Sequence, residues 1–334
     1  MKSLLTILLV ISLLQIIHAQ DAIFSQYINA PALLNPSLTG QIDNENNHRL
    51  LFNYRRQWVS VLGNSAFQTY NLAYDHRIQL KKDQIGVGGS FTGDRAGQSK
   101  FSTISSTLSA AYHKRFSENQ IITGSGGIGL SQRSINIESL TWPSQHNGNG
   151  GFNLNLPGDS LTHPSVLSIS VNAGLMWTFL GKNENQFNLG IGIFHLNRPD
   201  ISINERSISR LNARLSVHVT YQFSVSDKLQ FSPSLAYFTQ GSFEMLILGT
   251  SSVYKLDEID NYKLHFGIYP RIVRRSLDAS DNNYGIASIT GLLGWQYKDL
   301  MIMLSYDTYA FTTSPLSRAL DNRKGIELAL GWLF

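Results

Sequence analysis

The sequence contains no cysteine and is poor in charged residues. The lack of cysteine excludes disulfide bonds, thiolate catalysis, zinc–thiolate sites and the lipid-modified cysteine of a lipoprotein. Charged residues make up 15% of the 334 residues, below the roughly 25% of soluble domains. The formal net charge is only +4. Because this charge is small and dispersed, the sequence predicts no nucleic-acid partner.

Long apolar stretches are also absent, except at the N-terminus. A short start containing Lys2 is followed by an apolar run over 4–17 and then by Ala19 before a polar residue. This pattern predicts a secretory signal peptide over 1–19, cleaved after Ala19. A membrane anchor is the alternative, but the run is short for a helix of about 20 residues, and no basic cluster follows it. Any later membrane span would therefore have to consist of strands.

Alternation of apolar and polar residues is the main pattern of the chain. Over 210–225 every second residue is apolar, and the residues between them, including Arg214 and His218, are polar. A strand places successive side chains on opposite faces. Sixteen residues exceed the roughly four to eight of a soluble half-buried strand, but this stretch alone does not decide between a soluble sheet and a membrane barrel. In a membrane barrel the apolar face would contact lipid. The polar face, with Arg214 and His218, would then line a hydrated lumen.

Fourteen segments with such patterns are predicted as strands. They are 48–58, 67–78, 84–93, 101–116, 119–135, 165–180, 186–198, 210–225, 229–241, 243–256, 262–274, 283–298, 300–312 and 323–334. Short polar turns follow the even-numbered strands and mostly longer loops follow the odd-numbered ones, with the short turn after 241 as an exception. This organisation predicts an all-β, transmembrane antiparallel barrel over 48–334 in the outer membrane, with short periplasmic turns and longer extracellular loops. A soluble sandwich or solenoid is the alternative, but the segments are long for sandwich strands and no repeat is visible.

Catalytic motifs are weak. The hydrolase-like "GDSL" at 158–161 lies in an Asn/Gly-rich loop without a preceding buried strand, so we interpret it as part of an outer loop. The glycine-rich stretch 86–97 lacks the Lys of a phosphate-binding loop, and its glycines are expected to allow curvature or close backbone approach. The histidines form no metal-ligand motif. We therefore expect no enzyme activity, no cofactor and no metal. Charges on the predicted lumen side are expected to pair with one another: Arg49, Arg55, Asp75, Arg214, Lys263, Asp307 and Glu327.

Several short motifs resemble one family. They are Phe24-Ser25-Gln26-Tyr27, Asn35-Pro36 followed by Gly40, Tyr54-Arg55 followed by Gln57-Trp58, Ser305-Tyr306-Asp307, and Gly325 followed by Glu327-Leu328. Together with the stretch 86–97, they resemble the PorP/SprF family of outer-membrane barrels. One departure is Lys324, at a position where a second glycine would be expected. The resemblance covers essentially the whole chain after the signal peptide.

The resemblance implies a non-enzymatic component of the type IX secretion and gliding machinery. Its implied partners are the outer-membrane bilayer, other secretion proteins of the periplasm and outer membrane, and a secreted cell-surface protein whose export or attachment it supports. An outer-membrane channel for a small solute is the first alternative, and an outer-membrane hydrolase is the second.

The segment 20–47 lies before the first predicted strand but carries the densest motif and many apolar residues. Because Pro31 and Pro36 interrupt regular structure, we expect it to plug the periplasmic mouth of the barrel or to bind a partner. The candidate plug or partner-binding residues are Phe24, Gln26, Tyr27, Leu34, Asn35, Pro36, Tyr54, Arg55, Gln57 and Trp58. The residues predicted to face the lumen are Arg214, His218, Asp307 and Glu327.

Overall fold

The fold is a closed antiparallel barrel of fourteen strands. The structure, a computed structural model, describes residues 21–42, 46–97, 101–136, 140–147, 151–153, 155–156, 164–203, 208–257, 262–274, 284–309 and 324–334. The strands are β1 (His48–Gln57), β2 (Phe67–Gln79), β3 (Gln84–Ala96), β4 (Phe101–Ser117), β5 (Gln120–Ser134), β6 (Ser165–Leu180), β7 (Gln186–Phe194), β8 (Arg214–Ser226), β9 (Leu229–Gln240), β10 (Phe243–Asp257), β11 (Tyr262–Arg274), β12 (Tyr284–Tyr297), β13 (Leu300–Tyr309) and β14 (Gly325–Leu333). Each strand pairs with its sequence neighbours, and β1 pairs with β14 to close the barrel.

Short helical turns occur outside the strands. The α-helical ones are α1 (Pro31–Leu34) and α2 (Val59–Leu62), and the 3-10 turns are Tyr27–Asn29, Pro36–Leu38, Gly63–Ser65 and Pro143–Gln145. Among the described residues, no helix is both long enough and apolar enough to cross a membrane.

The predicted fold class and strand number are confirmed, and each predicted segment corresponds to one strand. The largest differences are at β7, which ends four residues earlier than predicted, and at β8, which begins four residues later. His195 and Arg198 adopt φ values of 55° and 44°, which no extended strand allows. The N–H of Leu211 then donates to the carbonyl of Pro199 within the loop instead of to a neighbouring strand. Apolar alternation is present over 210–213, but the local backbone geometry delays the start of β8 until Arg214.

The barrel has two distinct ends. Short connections such as those from β2 to β3 and from β12 to β13 lie at one end, together with His48 and the C-terminus, where the N–H of His48 donates to the carbonyl of Phe334. We call this the turn end, which faces the periplasm in such barrels, and the opposite end the loop end. The β9–β10 connection is a tight turn at the loop end, with Gly241 at φ 63°. The short turn after 241, which departs from the predicted alternation of short turns and longer loops, is therefore present in the structure.

Alternation separates the two faces of the wall. Outward side chains include Leu108 and Ile128, with 73% and 64% of their surface exposed, as lipid contact requires. Inward side chains are mostly polar and buried, because a segment of chain fills part of the lumen. This lumenal segment, residues 21–42, begins near the loop end, where the N–H of Asp21 donates to Gln240. It leaves at the turn end, where Arg77 donates to the carbonyl of Ile42.

Candidate functional site: the lumenal segment and the wall around it

The carboxylate of Glu327 holds the start of the lumenal segment. The backbone N–H groups of Ser25 and Gln26 donate to its two oxygens at 2.8 and 3.0 Å. The side-chain amide of Gln26 also donates to the Glu327 carbonyl at 3.3 Å. Glu327 is 1% exposed and Phe24, next to Ser25, is 2% exposed. A buried carboxylate needs several donors, and the backbone of the segment supplies two of them.

A buried charge network surrounds this contact. Arg55 lies 3.0 Å from Asp307 and 3.8 Å from Glu327, and Arg271 lies 3.9 Å from Asp307. The Ser25 hydroxyl donates to Asp307 at 2.7 Å and accepts from Arg271 at 2.7 Å. Arg55 also donates to the carbonyl of Ile23. Two guanidinium groups thus face two carboxylates, so the buried charges are balanced.

These contacts bring together motifs that are far apart in the sequence. The motif at 24–27 lies next to Arg55 of β1, Asp307 of β13 and Glu327 of β14. Ser25 and Gln26 precede Glu327 by about 300 residues in the sequence, yet both are within hydrogen-bonding distance of it in the fold. The motifs at 24–27, 305–307 and 325–328, together with Arg55, therefore meet at one three-dimensional site.

An apolar cluster lies beside the charge network. The Tyr27 ring makes edge-to-face contacts with Phe238 and Tyr269, at centroid distances of 6.3 and 6.1 Å. Its hydroxyl donates to Ser234 at 2.8 Å, so the polar end of the buried ring is satisfied. Leu34 belongs to the same buried cluster. The two apolar side chains anchor the middle of the lumenal segment to β9–β11.

At Asn35 the second part of the lumenal segment is held by neutral groups. Asn35, which is 0% exposed, accepts from the N–H of Ser37 at 2.9 Å and so caps the turn Pro36–Leu38. Its amide nitrogen donates to the carbonyl of Leu175 at 3.2 Å and lies 3.1 Å from His218 Nε2. These contacts join the segment to β6 and β8 without any charged group.

Glycines allow the segment to touch the wall near the turn end. Gly40 has φ +73°, and its N–H donates to Asp75 at 2.6 Å. A Cβ added to Gly86 on β3 would lie 2.0 Å from the carbonyl oxygen of Thr39, which is a steric clash with backbone atoms. The structure thus supports the interpretation of the stretch 86–97 as a close-approach surface.

The loop-end terminus of the segment is fixed by charge. The Asp21 carboxylate lies 2.8 Å from His195 Nε2 and 3.6 Å from Arg214 Nε. Burial raises the pKa of this carboxyl, but the nearby His195 and Arg214 outweigh burial and hold the pKa well below its ordinary value. Asp21 is therefore ionised at neutral pH.

The motif Tyr54-Arg55-x-Gln57-Trp58 is divided by the strand geometry. Arg55 and Gln57 point inward, and the amide oxygen of Gln57, oriented toward Arg55, accepts from its Nη2 at 2.5 Å. Tyr54 lies on the outward face of β1, so it cannot contact the lumenal segment and does not belong to the site. Trp58 lies at the loop end, with its ring 4.8 Å from that of Phe67.

The remaining candidates lie where the register puts them, on the inward face. Each is at most 3% exposed: Arg214, His218, Asp307 and Glu327. Sequence reasoning did not select Asp21, His195 or Arg271. The inward parity of β11 would have identified Arg271, but nothing in the sequence links Asp21 to His195. The "GDSL" stretch lies outside the described residues, within which no cluster of three potential metal ligands occurs.

Comparison with known proteins identifies a family. The family model described as "Type IX secretion system membrane protein PorP/SprF" matches residues 16–331. No curated sequence matches the chain.

Among solved structures, the Pseudomonas putida toluene transporter TodX is similar at 11% identity with a TM-score of 0.52, over 91% of this chain and 94% of that one. The Ralstonia pickettii toluene transporter TbuX is similar at 12% identity with a TM-score of 0.51, over 92% and 94%. At such low identity these likenesses establish the barrel fold alone.

Proposed function

Because the chain belongs to the PorP/SprF family of type IX secretion system membrane proteins, we propose that it supports the export or cell-surface attachment of a partner protein. In this proposal it has no catalytic role and works with other secretion proteins of the periplasm and outer membrane. Residues 1–19 would be removed as a signal peptide, and 20–47 would serve as a plug that continues into the barrel over 48–334.

The observation that carries the proposal is the occupied lumen. The lumenal segment is tied to the wall near the loop end through Asp21 and Glu327, in its middle through Tyr27, and near the turn end through Gly40. A channel for a small solute needs a continuous path, and buried ion pairs across the lumen oppose one. The similar solved structures are named transporters and channels, but they share only the fold with this chain.

The test uses a chromosomal deletion in the native organism. We expect the deletion to remove one or more proteins from the cell surface and the wild-type gene to restore them. Affinity purification from the native membrane should recover other secretion components. The purified barrel should give no steady conductance in planar bilayers. Unchanged surface proteins together with a steady conductance would favour the channel alternative.

A variant pair tests the role of the plug. Tyr27→Ala/Leu34→Ala removes two anchors of the lumenal segment, whereas Tyr221→Ala/Leu215→Ala removes the same residue types from the outward face of β8. We expect only the first variant to reduce surface display at normal barrel levels. Normal display in both variants would show that the lumenal segment is no more than a leader to β1. Loss of the barrel itself in the first variant would place the segment in the folding core.

A further inference from the structure

A hollow interrupts the lipid-facing surface of β10–β14 near mid-strand. It is a groove of about 650 Å3. Gly291 of β12 lies between Ile268 of β11 and Tyr306 of β13 in the strand register. A Cβ added to Gly291 would have no atom within 4 Å. The outward row of side chains therefore has a gap at this glycine.

The sides of the groove are apolar. Ile268, Leu293 and Leu304 line it, and each has more than half of its surface exposed, at 53%, 57% and 52%. Phe266 of β11 and Ile326 of β14 also line it, and Thr250 and Ser252 bound it on β10. Such a surface is unfavourable in water and needs an apolar neighbour, which the surrounding bilayer supplies. The groove is continuous with this lipid-facing band, so a lipid chain is the molecule that reaches it.

The wall behind the groove is thin. Gly267, which contributes to the groove, has the Tyr269 ring directly beside it, because a Cβ added there would lie 2.7 Å from a ring carbon. The same ring occupies the space beside Gly249, where an added Cβ would lie 2.2 Å away. Tyr269 in turn packs edge-to-face on Tyr27 of the lumenal segment. One backbone layer and one ring thus separate the groove from a plug anchor.

Between β10 and β11 this part of the wall also lacks two ladder pairs. Along the described β10 and β11, pairing runs to Ile247–Arg271 and resumes at Thr250–Ile268, which leaves two positions around Pro270 without a ladder pair. Proline has no N–H to donate. On its other side β11 keeps its pairing with β12 at Tyr269 and Pro270, so on the β10 side packing takes the place of the missing ladder pairs.

We propose that this groove binds one acyl chain of a membrane lipid, and that its occupancy supports the contact between Tyr269 and Tyr27. An unfilled hollow beside a thin wall forfeits dispersion contacts on one side. A bound chain restores them next to a position where the wall touches the apolar anchor of the lumenal segment. The site is thus a lipid-binding site coupled to the plug.

A matched pair of glycine variants tests the site. Gly291→Leu fills the groove, whereas Gly124→Leu adds the same side chain on the outward face of β5, where an added Cβ has a single neighbouring atom, at 3.9 Å. Purified barrels in detergent with added phosphatidylethanolamine are examined by native mass spectrometry. We expect wild type and Gly124→Leu to retain one lipid, and Gly291→Leu to retain it at least tenfold less. Equal retention in the two variants overturns the site.

Two further measurements keep the proposal testable if Gly291→Leu does not insert. Because the chain has no cysteine, Gly291→Cys and Gly124→Cys each carry one thiol. Added lipid should slow alkylation by an apolar maleimide several-fold at 291 but not at 124, and equal rates overturn the site. Because coupling is reciprocal, Tyr27→Ala should lower lipid retention several-fold. Unchanged retention would overturn the coupling to the plug.

Discussion

The two halves of the lumenal segment are held in different ways. The upstream half, 21–27, contacts the wall through charged groups, among them Glu327 and Asp307. The downstream half, 35–42, is held by neutral amides and hydroxyls and by closely approaching glycines. At its turn-end exit Arg49 and Arg77 also donate to its carbonyls, and Asp75 accepts from Gly40. Both halves are buried, yet the upstream half depends on a balanced network of buried charges, whereas the downstream half depends mainly on close packing, with charged groups only at its exit.

This difference shows which changes each half tolerates. Removing one member of a buried ion pair leaves an uncompensated charge, whereas removing both members can be nearly neutral. A tightly packed neutral contact responds instead to added volume. The upstream half should therefore be sensitive to single charge deletions and the downstream half to small increases in side-chain size.

The largest effect is expected for Glu327→Ala. It leaves Arg55 short of one carboxylate and two N–H groups of the lumenal segment without an acceptor, at a cost of about 3–5 kcal/mol. Reversible urea unfolding in lipid vesicles measures the change. The double variant Glu327→Ala/Arg55→Met keeps Asp307 and Arg271 as a balanced pair and should recover a large part of the loss. A double variant as unstable as the single one would show that charge balance does not govern the upstream half.

The next effect is expected for Gly86→Ala. The added Cβ would lie 2.0 Å from a backbone oxygen, so the segment or β3 must shift, at about 1–3 kcal/mol or more. Gly126→Ala is the control, because an added Cβ there has its only neighbouring atom at 4.0 Å, and it should change stability by less than about 0.5 kcal/mol. Equal effects of the two substitutions in the same unfolding assay would contradict the close-approach interpretation.

The stability that Asp21 contributes at the loop-end terminus of the upstream half should depend on pH. The pKa of Asp21 is lowered in the folded state, so its stabilisation is present above the unfolded pKa and is lost as pH falls toward the folded one. Asp21→Asn should weaken the barrel by about 1 kcal/mol at pH 7 and reduce the loss of stability between pH 5 and 3. An unchanged pH profile in this variant would mean that Asp21 does not contribute.

The smallest effect is expected for Tyr27→Phe, at the junction of the two halves. The change removes one hydrogen bond to Ser234 but keeps the ring contacts with Phe238 and Tyr269. The loss should be about 1 kcal/mol. Tyr27→Ala also removes the ring and should cost about 3–5 kcal/mol. Similar losses for the two variants, measured by the same unfolding assay, would indicate that the hydroxyl rather than the ring anchors the segment.

The fold follows from the sequence because alternation is a local property, and a strand of barrel length shows it residue by residue. The same parity predicts that Asp307 and Glu327 lie on the inward face, where both are buried. The end of β7 and the start of β8 cannot be predicted in this way, since the positive φ values at His195 and Arg198 leave no signal in the pattern of apolar and polar residues.

The site follows only in part. Resemblance selects the motif residues of 24–27 but not the partners of each, because contacts across a barrel depend on closure of the whole sheet. The sequence predicts the segment at the periplasmic mouth, yet Asp21 lies beside the loop-end residues His195 and Gln240. A motif such as Tyr54-Arg55 also combines an outward and an inward residue, which resemblance alone does not separate.

The path of the lumenal segment sets an order for assembly. The segment precedes the first strand, but Ser25 bonds to Glu327, 302 positions later in the final strand. Loop-closure entropy makes such distant contacts slow to form. A finished barrel offers no side entrance for a chain threaded from one end to the other. The N-terminal residues therefore either already lie between the strands when β1 meets β14 or enter through an end of the barrel. In both cases their contacts with β13 and β14 form only after the last strands are in place.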